Sequence, residues 1–204
     1  VSEAFAFDEI SQAAIVKAIA HYPVGKQASA VLPLLYIAQR QMARLTGSAW
    51  VPRPAMDEVA KKLGMAPVRV YECATFYLMF NTRPVGKYHL QVCTTTPCWL
   101  RGSDDIVSAC KKVSGIGHFG ETSADGLFTL AEVECMGACV NAPMVQINDD
   151  YYEDLDAERV EKLLGDLKSG LPLPPAGSTK GRHFSEPEPG RTTLLENSEA
   201  ADNA

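Results

Sequence analysis

Residues 88–98, YHLQVCTTTPC, contain the change of pattern on which the fold turns. Tyr88, Leu90 and Val92 alternate with His89 and Gln91, the period of a half-buried strand. Pro97 suits the first position of a helix, where its missing N–H leaves no bond unmade, and the spacing predicts a helix over about 97–113. The glycine-rich stretch SGIGHFGETSADG leads into a second predicted strand over 127–134. Residues 144–147 and Tyr151-Tyr152 flank Asn148-Asp149-Asp150 as the arms of a hairpin. Val160, Leu163, Leu164 and Leu167 mark one face of a closing helix over 156–168. Strand, helix, three strands and helix in that order predict a parallel pair joined by a crossover helix, then an antiparallel hairpin. That outline suits a thioredoxin-like layer arrangement.

Upstream, the first 80 residues repeat with the helical period instead. Asp8 can cap a helix that runs to about His21, where Pro23 forbids continuation. A second helix is expected from near Ser29 to Gly47, with Pro33 in its first turn. Pro54 opens a third, with Met56, Val59, Ala60 and Leu63 on one face and Gly64 as its stop. Pro67 opens a fourth, whose expected stripe is Val70, Ala74, Tyr77 and Leu78. The last two have the outline of a helix-turn-helix. As a DNA reader the second of them should carry bases, yet it offers only Arg69 before running into ATFYLMF. A small helical bundle is the better reading, joined to the α/β part by the turn-rich NTRPVG at 81–86.

Downstream the character changes once more. The 35 residues from Gly170 hold five prolines and few large apolar groups, too little to bury enough surface to offset their ordering entropy. Such a stretch is either a disordered tail or an arm ordered on another subunit. The expected class is α+β: a helical bundle over 1–82, a thioredoxin-like α/β domain over 87–169, and an extended arm over 170–204.

Composition narrows the functions available. With 25 acidic and 19 basic residues the chain carries a formal charge of −6, which argues against a nucleic-acid or anionic-membrane partner. No apolar run is long enough to span a bilayer. The opening VSEAFAFDEI is acidic and does not read as a retained signal or transit peptide. Residues 115–120, GIGHFG, match a dinucleotide fingerprint letter for letter. Their context is inverted, because a helix precedes the glycines and a strand follows, so no helix N-terminus awaits a pyrophosphate. They read as a loop.

Six cysteines are the unusual component, at 73, 93, 98, 110, 135 and 139. Cys93 and Cys98 form a C-x4-C pair and Cys135 and Cys139 a C-x3-C pair, each just beyond a predicted strand. If those strands are parallel neighbours, four thiols surround one small volume. Cys98 would sit in the first turn of a helix, where free N–H groups favour anionic sulfur. Gly137 and Ala138 keep the second loop free of bulk, so amides can approach sulfur, and the three threonines at 94–96 offer hydroxyls. Zinc ribbons use tighter C-x2-C knuckles, and neither pair is the C-x-x-C of redox disulfides. A two-iron cluster suits looser loops. Spacing alone thus favours iron–sulfur over a zinc-stabilised binding module and leaves both open. Cys73 and Cys110, inside helices with no partner nearby in sequence, read as small buried hydrophobes.

Longer segments carry a family resemblance. ECATFYLMF at 72–80, CTTTPCWLRGSDDI at 93–106 and VECMGACVNAPMVQINDDYYEDL at 133–155 together resemble the 24 kDa subunit family of respiratory NADH:quinone oxidoreductase, complex I. The resemblance covers about 20–170, and GRHFSEPEPG at 181–190 is similar to the tails of its mitochondrial type and bacterial relatives. It implies a helical bundle followed by a thioredoxin-like [2Fe–2S] ferredoxin domain, with Cys93, Cys98, Cys135 and Cys139 as ligands and no catalytic residue in this chain. Met136 stands where leucine is commoner. The resemblance also implies a neighbouring flavoprotein subunit that binds NADH and FMN, an adjacent iron–sulfur subunit, and single-electron exchange between cluster and flavin. The expected location is peripheral, on the cytoplasmic side of a bacterial membrane or the matrix side of a mitochondrial one. Diaphorase subunits of NAD-reducing hydrogenases and formate dehydrogenases share the cysteines. The mitochondrial-like TTPCWLRGSDDI and the tail favour the respiratory enzyme.

Overall fold

A computed structural model of the chain describes residues 5–190, so residues 191–204 of the expected arm lie outside the described residues. The chain divides into two compact units. One runs up to Lys87 and includes Asp125–Leu127; the other comprises Tyr88–Ala124 and the chain from Phe128 onward.

The first unit is helical. The Asp8 carboxylate accepts from the Ser11 N–H at 2.7 Å and starts α1, Glu9–Ala20. A short 3-10 turn at Gln27–Ala30 leads into α2, Val31–Thr46, which ends where Gly47 takes φ +76°. Helices α3, Arg53–Leu63, and α4, Pro67–Phe76, each carry proline in the first turn. Leu34, Leu35 and Ala38 of α2 pack with Ala55, Met56, Val59 and Ala60 of α3 and Val70 and Ala74 of α4. The buried Gln41 accepts from the Asp8 N–H and donates to the Ala6 carbonyl. It thereby satisfies backbone groups that the apolar core cannot serve. The expected stripe on α4 is cut short. Tyr77 turns to extended backbone, so Leu78 never joins the helix and is exposed.

The second unit is built on a five-stranded sheet of order β2-β1-β3-β4-β5. Its strands are β1 Tyr88–Cys93, β2 Phe128–Val133, β3 Val145–Ile147, β4 Asp150–Glu153 and β5 Gly177–Ser178. β1 and β2 run parallel in a register from Tyr88↔Phe128 to Cys93↔Val133, so both strands end level. β3 lies antiparallel on the other side of β1, and β3 and β4 form the expected hairpin, with Asn148 at φ +57°. The helix expected over 97–113 is two helices, α5 Thr96–Leu100 and α6 Ser103–Ser114. Gly102 between them holds φ +96°, a conformation that interrupts helical bonding and is open to glycine at little cost. α6 packs on β1 and β2 and on α7, Ala157–Lys168, whose N-cap is the Asp156 carboxylate. Leu90, Ile106, Phe128, Leu130, Ile147 and Leu164 are among the side chains fully buried in this unit.

GIGHFG is a helix stop followed by a strap. Gly115, at φ +73°, caps α6, and the Gly120 N–H donates to the Leu130 carbonyl of β2. Residues 171–190 take a course that their composition does not suggest. They fold back on their own unit, where β5 pairs with β4 and the Tyr152 hydroxyl donates to the Pro174 carbonyl.

Candidate metal centre

Level strand ends decide where the thiols lie. Cys93 is the last residue of β1, and the Thr94 hydroxyl donates to Glu132 of β2 at 2.6 Å, tying the two exits together. Cys98 follows in α5; both thiols are buried, at 1% exposure. Beyond β2 the chain reverses through Gly137 at φ +84° and enters a 3-10 turn, Cys139–Asn141. Cys135 is exposed and Cys139 half-buried, with their sulfurs 3.3 Å apart. The two loops meet. Cys98 interacts with Cys93 and Cys139, and Cys139 also lies within electrostatic range of Cys93. Cys73, on α4 in the helical unit, and Cys110, buried on α6, are not part of this group.

Several polar groups address the sulfurs. The Thr95 hydroxyl lies 3.1 Å from Cys93 Sγ and also hydrogen-bonds Cys135. Backbone N–H groups of Met144 and Gly137 donate to Cys98 and Cys135. Tyr151 supports the outer loop, its hydroxyl donating to the Met136 carbonyl at 3.2 Å. Ala142 and Met144 pack on the inner thiols, and Val133, Met136, Ala138 and Tyr151 close the apolar surround. Gly137 and the threonines were legible in the sequence. Tyr151 of β4 and Met144, just before β3, were not, because residues that reach a loop through the tertiary fold carry no local signal.

This environment treats the two pairs differently. Burial pushes the Cys98 thiol up to about 12, and the hydrogen bond from Cys93 adds to it. The Gly137 N–H, followed by the Cys139 and Thr95 hydrogen bonds, holds Cys135 below the ordinary thiol range. Its partner Cys139 is raised, first by that same Cys135 contact and then by burial. A buried thiol with high proton affinity is poorly suited to exist as a bare anion. Bound to a metal cation it is well suited, because the cation supplies the charge that water would have supplied. Among the described residues no group of three His, Cys, Asp or Glu side chains is gathered to hold a single ion. Four thiols set out as two pairs fit a cluster whose two metals share them, with amides at hand for the sulfurs.

A family model described as thioredoxin-like [2Fe–2S] ferredoxin matches residues 15–168. Over 165 residues the chain is 53% identical to an NADH-quinone oxidoreductase subunit of Rickettsia conorii, covering 81% of this chain and 95% of that protein. Over 192 residues it is 47% identical to the mitochondrial NADH dehydrogenase [ubiquinone] flavoprotein 2 of Dictyostelium discoideum, covering 94% of this chain and 75% of that one. The crystal structure of an NAD+-reducing [NiFe]-hydrogenase in the air-oxidized state superposes with a TM-score of 0.55 at 24% identity. That match covers 68% of this chain and only 23% of the hydrogenase chain, and at this identity it speaks to the fold alone. The helical bundle, the thioredoxin-like sheet and the paired cysteines thus agree with the family match over three quarters of the sequence: the chain belongs to the thioredoxin-like [2Fe–2S] ferredoxins, and its cofactor is one [2Fe–2S] cluster.

Proposed function

We propose that the chain is the electron-transfer subunit of the NADH-oxidising module of an NADH:quinone oxidoreductase. Its cluster would be held by Cys93, Cys98, Cys135 and Cys139 and would exchange single electrons with the FMN of a neighbouring NADH-binding flavoprotein subunit. The observation that carries the ligand assignment is the meeting of the two cysteine loops at the level ends of β1 and β2. Identity above 50% over most of both chains to a subunit of that enzyme supports the wider role.

When bound, a [2Fe–2S] cluster supplies a one-electron couple, whereas hydride chemistry belongs to a flavin. The residues of this chain tune and expose that couple. N–H groups of Met144 and Gly137 aimed at sulfur offset the negative charge of four thiolates, which raises a reduction potential that would otherwise be low. The buried inner pair excludes water, while Cys135 brings the site to the surface, where an electron must enter or leave. Trp99 and Val140 directly follow Cys98 and Cys139, Leu100 follows Trp99, and the three are 56%, 64% and 70% exposed in the order Trp99, Val140, Leu100. Exposed apolar residues next in sequence to the cysteines suit docking against a flavoprotein, and the adjacent iron–sulfur subunit completes the module. No helix among the described residues is long and apolar enough to cross a membrane. We place the subunit in the peripheral arm on the NADH side, which is the cytoplasm of a bacterium and the matrix of a mitochondrion.

Anaerobic purification followed by iron, zinc and acid-labile sulfide analysis, with EPR after reduction, tests the reading. Two iron and two sulfide per chain with a reduced-state EPR signal are expected. A colourless protein with one zinc and no sulfide would overturn it.

A further inference from the structure

We propose that Arg182 is a positioning residue for the turn that carries Cys139, and that residues 177–188 form an internal clasp on the metal centre. Arg182 donates from Nε to Asp154 Oδ2 at 2.8 Å and from Nη2 to Oδ1 at 2.6 Å, a two-pronged fork. The same Nη2 donates to the Val140 carbonyl at 3.0 Å, and Nη1 donates to the Glu186 carbonyl at 2.9 Å. Val140 directly follows Cys139 and stands 42 residues before Arg182, so a distant segment grips the backbone beside an outer thiol. Both charged side chains are withdrawn from water, at 8% exposure for Arg182 and 1% for Asp154. A surface ion pair would be dispensable, whereas a buried fork fixes geometry.

Further contacts tie the same turn, and the strand end beside it, to residues 178–188. Asn141, the last residue of that turn, donates from Nδ2 to the Phe184 carbonyl at 2.8 Å and to Glu153 at 2.6 Å. Its carbonyl accepts from the Asp154 N–H at 2.7 Å, and Asp154 holds φ +54°. Ser178 donates to Asp154 at 2.6 Å, and the Thr179 N–H and hydroxyl both donate to the Glu153 carbonyl. Lys180 pairs with Glu188, and Arg101, just after the Cys98 helix, lies 4.0 Å from the same Glu188 carboxylate. Because Asp154 neutralises Arg182, the clasp acts on the Cys139 turn through geometry more than through charge.

This inference rests on Cys139 being a ligand. The experiment uses the full holoprotein in three forms: unaltered, R182K, and the doubly neutral R182M/D154N, which leaves no unpaired buried charge. Far-UV circular dichroism reports folding, iron loss to a ferrozine trap reports cluster retention, and EPR of the reduced state reports cluster geometry. We expect R182M/D154N to keep its secondary structure, lose iron on the order of tenfold faster and show shifted g values. R182K keeps the charge without the fork, and we expect it to resemble the double variant. Iron loss and g values of R182M/D154N equal to those of the unaltered protein would overturn the proposal, as would full rescue by lysine. Amide exchange on the unaltered protein gives a reading that no variant's folding can spoil. The amides of Asn141, Asp154 and Thr179 should open together, and Thr179 exchanging at the rate of an unstructured peptide would overturn the clasp. If they open together while Cys139→Ser keeps the native spectrum, it is the ligand assignment that falls.

Discussion

The sulfurs of Cys135 and Cys139 lie 3.3 Å apart across a loop turned by Gly137. Cys135 is exposed, whereas Cys93 and Cys98 are buried. The metal-free chain should therefore react unevenly with iodoacetamide, which needs access to sulfur. Peptide mass spectrometry should find Cys135 alkylated at least roughly tenfold faster than Cys93, Cys98 or Cys110. Equal labelling would mean that the inner pair is not sequestered.

Serine substitutions separate ligands from packing. Cys98→Ser should abolish or distort the visible and EPR spectra of the cluster. Cys110→Ser should leave both unchanged and lower stability by about 1–3 kcal/mol, because a hydroxyl would replace a fully buried thiol on α6. Its thiol is pushed up to about 12 by burial, consistent with a group that stays protonated and only packs.

Acid should weaken the fold through His89 of β1. Burial lowers this imidazole from 6.5 to about 4, so the unfolded chain takes up a proton at a pH where the folded chain does not. The contribution of His89 to stability is therefore fully present above pH 6.5 and is lost as pH drops toward 4, by about 3 kcal/mol for the full shift. Urea midpoints of the unaltered chain and His89→Gln, measured from pH 7 to pH 4, should converge on acidification. Parallel curves would remove His89 as the cause.

Packing between α6 and α7 should dominate over the ion pair that bridges them. Leu164 is 1% exposed, and Leu164→Ala should cost about 2–5 kcal/mol by urea titration. Lys112 and Glu161 meet at 2.8 Å with 69% and 37% of their side chains exposed. Solvent screening there limits the effect of Lys112→Ala to about 1 kcal/mol or less.

These cases differ in how far they could be seen before folding. Tyr88, Leu90 and Val92 announce β1 because alternation is a property of neighbouring residues, and Asp8 and Asp156 announce helix starts for the same reason. The break between α5 and α6 was less visible. Gly102 lies inside an otherwise helical pattern, and nothing local states that it will adopt φ +96°. Tyr77 failed in the opposite way: its spacing fits the α4 stripe, but the backbone has already become extended there.

By itself the sequence determined the order of the main helices and of strands β1 to β4, and that two cysteine pairs follow two strands, but not the α5–α6 break or β5. It did so because periodicity, caps and proline positions act over a few residues. Tertiary structure decided that β3 lies antiparallel against β1, that Cys98 is buried while Cys135 is exposed, and that Arg182 reaches Asp154 and Val140. Each of these joins residues far apart along the chain. Such contacts exist only after loops close and a shared core forms, so no local pattern encodes them.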